Sequence, residues 1–76
     1  MKKTLSKIAN DYIKNGWLRK GERIVDVNPD TEPIYGQYLV YVTVITKFHT
    51  VIRYSLWIYK DNLEVEENSC DSHILM

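Results

Sequence analysis

Gln37-Tyr38-Leu39-Val40-Tyr41-Val42-Thr43-Val44-Ile45-Thr46-Lys47-Phe48-His49-Thr50-Val51-Ile52-Arg53-Tyr54-Ser55-Leu56-Trp57-Ile58-Tyr59-Lys60 is a run of 24 residues without a Gly, Pro, Asn or Asp. Val, Ile, Thr, Tyr and Trp dominate it, and these residues fit a pleated, half-buried surface. A single strand of that length would be several times the usual length of about five or six residues. The run must therefore fold back on itself. Its least apolar place, Thr46-Lys47-Phe48-His49-Thr50, is where a hairpin turn is expected.

Successive side chains of a strand point to opposite faces. Tyr38, Val40, Val42 and Val44 then share one face of the first arm, and Ile52, Tyr54, Leu56 and Ile58 share one face of the second. A three-residue loop at Phe48, His49 and Thr50 sets Val44 opposite Tyr54, Val42 opposite Leu56 and Val40 opposite Ile58. Both apolar sets fall on the same side. Asp61-Asn62 offers a second turn, since both residues tolerate positive φ. Pairing Lys60 with Leu63 brings Val65 opposite Ile58 and turns Glu64 and Glu66 to the other face.

Upstream, the period changes from two to 3.6. Leu5, Ile8, Ala9, Tyr12 and Ile13 form one stripe of an α-helix over residues 4–15. Thr4 is the expected N-cap, Lys14 suits the negative end of the helix dipole, and Gly16 suits the left-handed position after the last turn. Trp17 would fold back over that turn. Arg19-Lys20-Gly21-Glu22 reads as a turn, and Ile24, Val25 and Val27 as a short strand. Asn28-Pro29-Asp30-Thr31-Glu32-Pro33 reads as a loop that stops it.

The expected fold class is α+β: one N-terminal amphipathic helix packed on a three- to four-stranded antiparallel meander sheet. Residues 24–28 and 63–66 are the short runs that decide the strand count. The chain is read as one domain, 1–76, with 67–76 a polar, flexible C-terminal tail. A domain of this size buries only about 60% of the surface its unfolded chain exposes. With one cysteine it has no internal disulfide, and small domains without such staples often gain stability by oligomerising.

The register that builds the core also defines a second face. It carries Leu39, Tyr41, Thr43 and Ile45 on one strand, and Val51, Arg53, Ser55, Trp57 and Tyr59 on the next, with Glu64 and Glu66 beside them. Tyr41 is expected opposite Trp57, and Leu39 opposite Tyr59. A free sheet face is normally polar, whereas this one would be an apolar patch of roughly several hundred Å². Three uses fit it. It can be a self-association or partner surface, because Tyr, Trp and Arg carry interface energy. It can be ordinary core, covered by a curling sheet or by the tail. It can also be an aromatic platform for single-stranded bases, with Arg53 and Lys47 near the phosphates. Glu64 and Glu66 argue against the last. The candidate interface is Leu39, Tyr41, Thr43, Ile45, Arg53, Trp57 and Tyr59.

No motif assigns catalytic chemistry. Cys70-x-x-His73 supplies two metal ligands where structural zinc takes four, and the only other histidine, His49, falls in the expected hairpin turn. Cys70, His49 and an aspartate have no spacing that supports a nucleophile and base pair. Phosphate loops, dinucleotide loops and metalloprotease motifs are absent. Asp26, Asp30 and Glu32 gather around the proline loop, where a solvated loop is the ordinary reading. No enzyme, no cofactor and no metal are expected. His73-Ile74-Leu75-Met76 is apolar after a polar stretch, and it can add an edge contact, cover the outer face or dock on a partner.

Net charge is zero, so there is no general pull toward nucleic acid. The charge is unevenly placed. Residues 1–23 hold seven basic and two acidic side chains, residues 24–60 three of each, and residues 61–76 five acids and no base. The basic helix is a solvated face or a docking patch for an acidic partner. The run 37–60 is broken by Lys47, His49 and Arg53 and is not expected to cross a membrane. Met1-Lys2-Lys3 is not followed by an apolar stretch and Cys70 stands alone, so a cytoplasmic protein without a signal peptide is expected.

Asp11-Tyr12-Ile13-Lys14-Asn15-Gly16-Trp17-Leu18 and Tyr54-Ser55-Leu56-Trp57-Ile58-Tyr59, with the chain length and the order of helix then strands, resemble the YopT-type family of small Bacillus prophage proteins. The resemblance covers residues 1–66. It implies a homodimer of subunits with one helix and three strands, of phage or prophage origin, and it brings no active site. The functional expectation is a non-enzymatic interaction protein, homodimeric through its sheet, acting as a phage or bacterial accessory factor on a host or phage protein. A single-stranded nucleic-acid-binding module using the aromatic face is the alternative.

Overall fold

The structure, a computed structural model, describes residues 1–76. It contains a helix α1 (Lys2–Gly16) followed by four strands: β1 (Arg23–Pro29), β2 (Gln37–Ile45), β3 (Val51–Tyr59) and β4 (Asp71–Ile74). The strands form one antiparallel sheet in the order β1-β2-β3-β4. This is the expected α+β arrangement, with the upper strand count.

The helix forms where the stripe places it, but both ends differ from expectation. It begins at Lys2, with no side-chain cap, and Thr4 lies inside it. Lys2 and Lys3 are good helix formers, and the Met1 carbonyl accepts from the Leu5 N–H at 2.9 Å, so the backbone alone opens the helix. Gly16 is the last helical residue and does not adopt positive φ. The Ile13 carbonyl accepts from both Trp17 and Leu18 instead. Trp17 then packs on the sheet, its ring 5.7 Å from that of Tyr54 in an edge-on arrangement.

Leu5, Ala9 and Ile13 are fully buried, and α1 lies against β1 and β2. Ala9, the smallest side chain in the stripe, lets the helix backbone approach the sheet closely. The core is completed by Tyr38, Val40, Val42, Val44, Tyr54, Leu56 and Ile58. Each fully buried Val, Leu or Ile is worth about 1.5–3 kcal/mol relative to exposure.

The β2–β3 register is shifted by two from the expected one. Val44 faces Ile52, Val42 faces Tyr54, Val40 faces Leu56 and Tyr38 faces Ile58. The connection is residues 46–50, not a three-residue loop. Thr46 explains the longer turn: its Oγ1 accepts from the backbone N–H of both Phe48 and Thr50, and His49 takes the positive φ that closes the loop. A slip of two residues keeps every side chain on its face, so the core is unchanged.

Strand β1 runs past its expected end and includes Asn28 and Pro29. A proline is tolerated because β1 is an edge strand. A bulge between Ile24 and Asp26 skips Val25, so Ile24 and Val27 both face the helix. The β1–β2 connection ends in a tight turn in which Ile34 and Gln37 exchange backbone hydrogen bonds around Tyr35 and Gly36. Both central residues have positive φ, as a type I′ hairpin turn requires.

After β3 the chain makes the expected Ile58–Val65 bridge, but no longer strand forms at 63–66. The turn places its positive φ on Leu63, not on Asp61 or Asn62. The fourth strand comes from the segment read as a tail. Asp71–Ile74 pairs with Ser55–Ile52 along β3. Ser69 bridges the gap: its Oγ accepts from the Trp57 N–H at 3.1 Å and donates to the Glu66 carbonyl at 2.6 Å.

Replacing Leu56 by Ala should cost about 3 kcal/mol of unfolding free energy, read by urea denaturation, because it opens a cavity among fully buried neighbours. Ile74→Ala, on a residue 73% exposed in β4, should stay within about 0.5 kcal/mol.

Candidate interaction face

The helix covers one face of the sheet, and no helix or second sheet covers the other. The parity of β2 and β3 places on that outer face all seven residues of the candidate interface: Leu39, Tyr41, Thr43, Ile45, Arg53, Trp57 and Tyr59. Their cross-strand partners differ from expectation by the same two-residue slip. Leu39 faces Trp57, Tyr41 faces Ser55, Thr43 faces Arg53 and Gln37 faces Tyr59. Tyr41 and Trp57 are therefore diagonal neighbours and not a direct pair.

Leu39, Tyr41, Ile45 and Trp57 are half-buried, because neighbouring side chains on the sheet shade one another, and only Tyr59 counts as exposed. Arg53 sits at the heart of this surface. Its guanidinium lies over the Tyr41 ring, 4.5 Å from the centroid. Its Nε is buried without a hydrogen-bond partner. The chain's one ion pair is Lys7–Asp11 on the helix, so Arg53 pairs with no carboxylate. A half-desolvated cation held by a ring face alone is poised for a further partner.

The register also brings residues to this face that the hairpin pattern alone does not reveal. Gln37 donates from Nε2 to Glu66 Oε2 at 2.7 Å, which holds the Glu66 carboxylate over the end of the sheet where β2 starts. Asp71 flanks Ser55, and His73 flanks Arg53. Extending the parity of β2 to Gln37 would have found the first. The others depend on β4, whose composition carries no strand signal.

Charge is segregated along the strands. The connections at one end, residues 17–22 and 46–50, hold Arg19, Lys20 and Lys47 against Glu22. The connections at the other end, 30–36 and 60–70, hold Asp30, Glu32, Asp61, Glu64, Glu66 and Glu67 against Lys60. Topology thus converts an unevenness along the sequence into a separation in space.

Cys70 and His73 do not converge. Cys70 packs against the core, whereas His73 pairs with Arg53 on the outer face. His49 is exposed in the β2–β3 turn. No three His, Cys, Asp or Glu side chains gather in a way that could hold a metal ion. No helix is long and apolar enough to cross a membrane. The surface has two grooves, and the first runs along the helix. This one, of about 480 Å³, lies between Ile8, Tyr12, Trp17 and Val65. The other, of about 430 Å³, lies at the basic end, between Arg19, Lys20, Lys47 and Thr46.

Burial pushes the Cys70 thiol up to about 11, with the Asp71 carboxylate adding to the effect. Burial also raises the Tyr54 hydroxyl, which Glu22 reinforces. For both groups the unfolded chain releases its proton first. The Cys70 contribution to stability is therefore complete below the ordinary thiol value of 9.0 and is lost as pH rises toward 11, and that of Tyr54 is complete below 10.0 and is lost above it. Since the thiolate is the nucleophile, alkylation of Cys70 by iodoacetamide at about pH 8 should be at least ~10-fold slower in the native protein than in urea. Equal rates would show a thiol with no such protection.

Comparison of the chain with protein-family models, with curated proteins and with solved structures finds no match.

Proposed function

We propose that this chain is a non-enzymatic interaction protein that dimerises through the outer face of its sheet and serves as a small phage or bacterial accessory factor acting on another protein. The observation that carries this reading is the uncovered face itself, with Leu39, Tyr41, Ile45, Trp57 and Tyr59 grouped around Arg53. Aromatic residues and arginine are the side chains that dominate interface energies, because each buries a large area at small entropic cost.

Surface area supports the same reading. A compact monomer of 9.0 kDa is expected to expose about 4,850 Å². This chain exposes 5342 Å², about a tenth more than the scaling with mass. Only 11 of its 76 residues are buried, so a second layer over the sheet would supply the core that one helix cannot. Stacking two such faces gives the β-sandwich arrangement, in which inner-face side chains of both sheets interdigitate.

A single-stranded nucleic acid stacked on Tyr41 and Trp57 is the competing use, favoured by the Arg53 guanidinium that lacks a carboxylate. Glu66 and Asp71 on the same face oppose it by repelling phosphates.

Light scattering on a sizing column should give about 18 kDa, twice the chain mass of 9.0 kDa, as expected of a two-fold dimer. Trp57→Glu or Ile45→Glu should shift the protein to monomer while its far-UV circular dichroism persists. Unchanged assembly in either variant would remove this face from the interface. Trp57 fluorescence should stay flat when oligonucleotides are added at low salt, and a salt-sensitive change would favour the nucleic-acid reading instead.

A further inference from the structure

The homodimer proposed above can be built in two ways, and the charges on the molecule choose between them. Two copies that stack the same face must be related by a two-fold axis lying in the plane between their sheets. In aligned sheet packing the strand directions stay within about 30° of parallel or antiparallel. An axis along the strands lays like ends together. An axis across the strands lays each end over the opposite end of the other copy.

The ends are oppositely charged. Three bases and one acid, net +2, occupy the connections at one end, and six acids and one base, net −5, occupy those at the other. The nine-residue strands β2 and β3 separate the ends by roughly 30 Å at about 3.4 Å per residue. At physiological salt the screening length is about 8 Å, so the two ends of one copy hardly feel each other. Stacked sheets lie about 10 Å apart, close to that length. Like ends would then repel at both poles, and opposite ends attract at both.

The same axis resolves the unpaired cation. Tyr41 and Ser55 are direct partners and are the midpoints of β2 and β3. Arg53 lies two residues to one side of Ser55, and Trp57 two residues to the other. A two-fold crossing the strands at the Tyr41–Ser55 pair therefore lays Arg53 of each copy over Trp57 of the other. Glu66 sits beside Trp57, its N–H donating to the Trp57 carbonyl at 2.9 Å. Gln37 holds its carboxylate on the outer face.

We propose that the occupant of the outer face is a second copy of this chain stacked antiparallel, its two-fold axis crossing the strands at Tyr41–Ser55. Arg53 of each copy then pairs with Glu66 of the other. This rests on the homodimer reading and deepens it. The guanidinium becomes a cation between two aromatic faces with a carboxylate at its open side, which satisfies the donors that a monomer leaves idle.

The test is a charge-exchange cycle on the dimer dissociation constant, measured by sedimentation at several concentrations. Arg53→Glu and Glu66→Arg should each weaken the dimer by about tenfold or more, and the double variant should recover to within about threefold of the starting protein. Lys3→Glu, a charge reversal at an exposed position of α1 on the far side of the sheet, should change it little. Arg53→Gln keeps the arm over Tyr41 without the charge, and should weaken the dimer less than Arg53→Glu even if the latter is poorly folded. If the unmodified protein is a dimer but the double variant adds the two losses with no recovery, the antiparallel arrangement is wrong and the dimer stands. If the unmodified protein stays monomeric at every concentration, the homodimer reading falls and this one falls with it.

Discussion

Everything in this molecule hangs on the pairing of β2 with β3. Two nine-residue strands with nearly unbroken β-branched and aromatic composition present one apolar face that must leave water. Seven of the ten core residues come from that pair. The helix contributes Leu5, Ala9 and Ile13. It rests on β1 and β2 and supplies a lid for one face only. A single helix is too narrow to cover both sides of a four-stranded sheet. The uncovered side is thus a geometric result of having one helix in the chain, whatever later sits upon it.

The parts legible in the sequence were those governed by periodicity. The stripe Leu5-Ile8-Ala9-Tyr12-Ile13 gave the helix and its buried face, and alternation in 37–60 gave both faces of the hairpin. These survive errors of detail, because parity is insensitive to a slip of two residues. The register itself was not legible. It is set by Thr46, whose hydroxyl captures two backbone N–H groups and lengthens the turn, and such local competition leaves no periodic trace.

The C-terminal strand was harder still. Asp71-Ser72-His73-Ile74 has poor strand composition and every residue in it is exposed. It forms because β3 presents an unpaired row of backbone groups that a neighbouring segment can satisfy, which is a property of β3 and not of the tail. Ser69 makes the return possible by standing in for a backbone group at Trp57. The candidate face followed the hairpin and was largely readable. Glu66 on its rim was expected there from the Asp61-Asn62 turn, whereas Gln37, Asp71 and His73 were not.

The two margins of the sheet differ from its middle. On β1 the bulge at Val25 breaks the row of evenly spaced donors and acceptors, and Pro29 removes a donor altogether. On the other side β4 is only four residues long. A strand arriving from another molecule finds little ladder to extend at either border. Sideways growth, the route by which chains rich in valine and isoleucine pass into fibres, is thereby discouraged by the shape of the borders themselves. A sheet finished in this way has blunt borders, and neither edge presents a long, regular ribbon of backbone to copy.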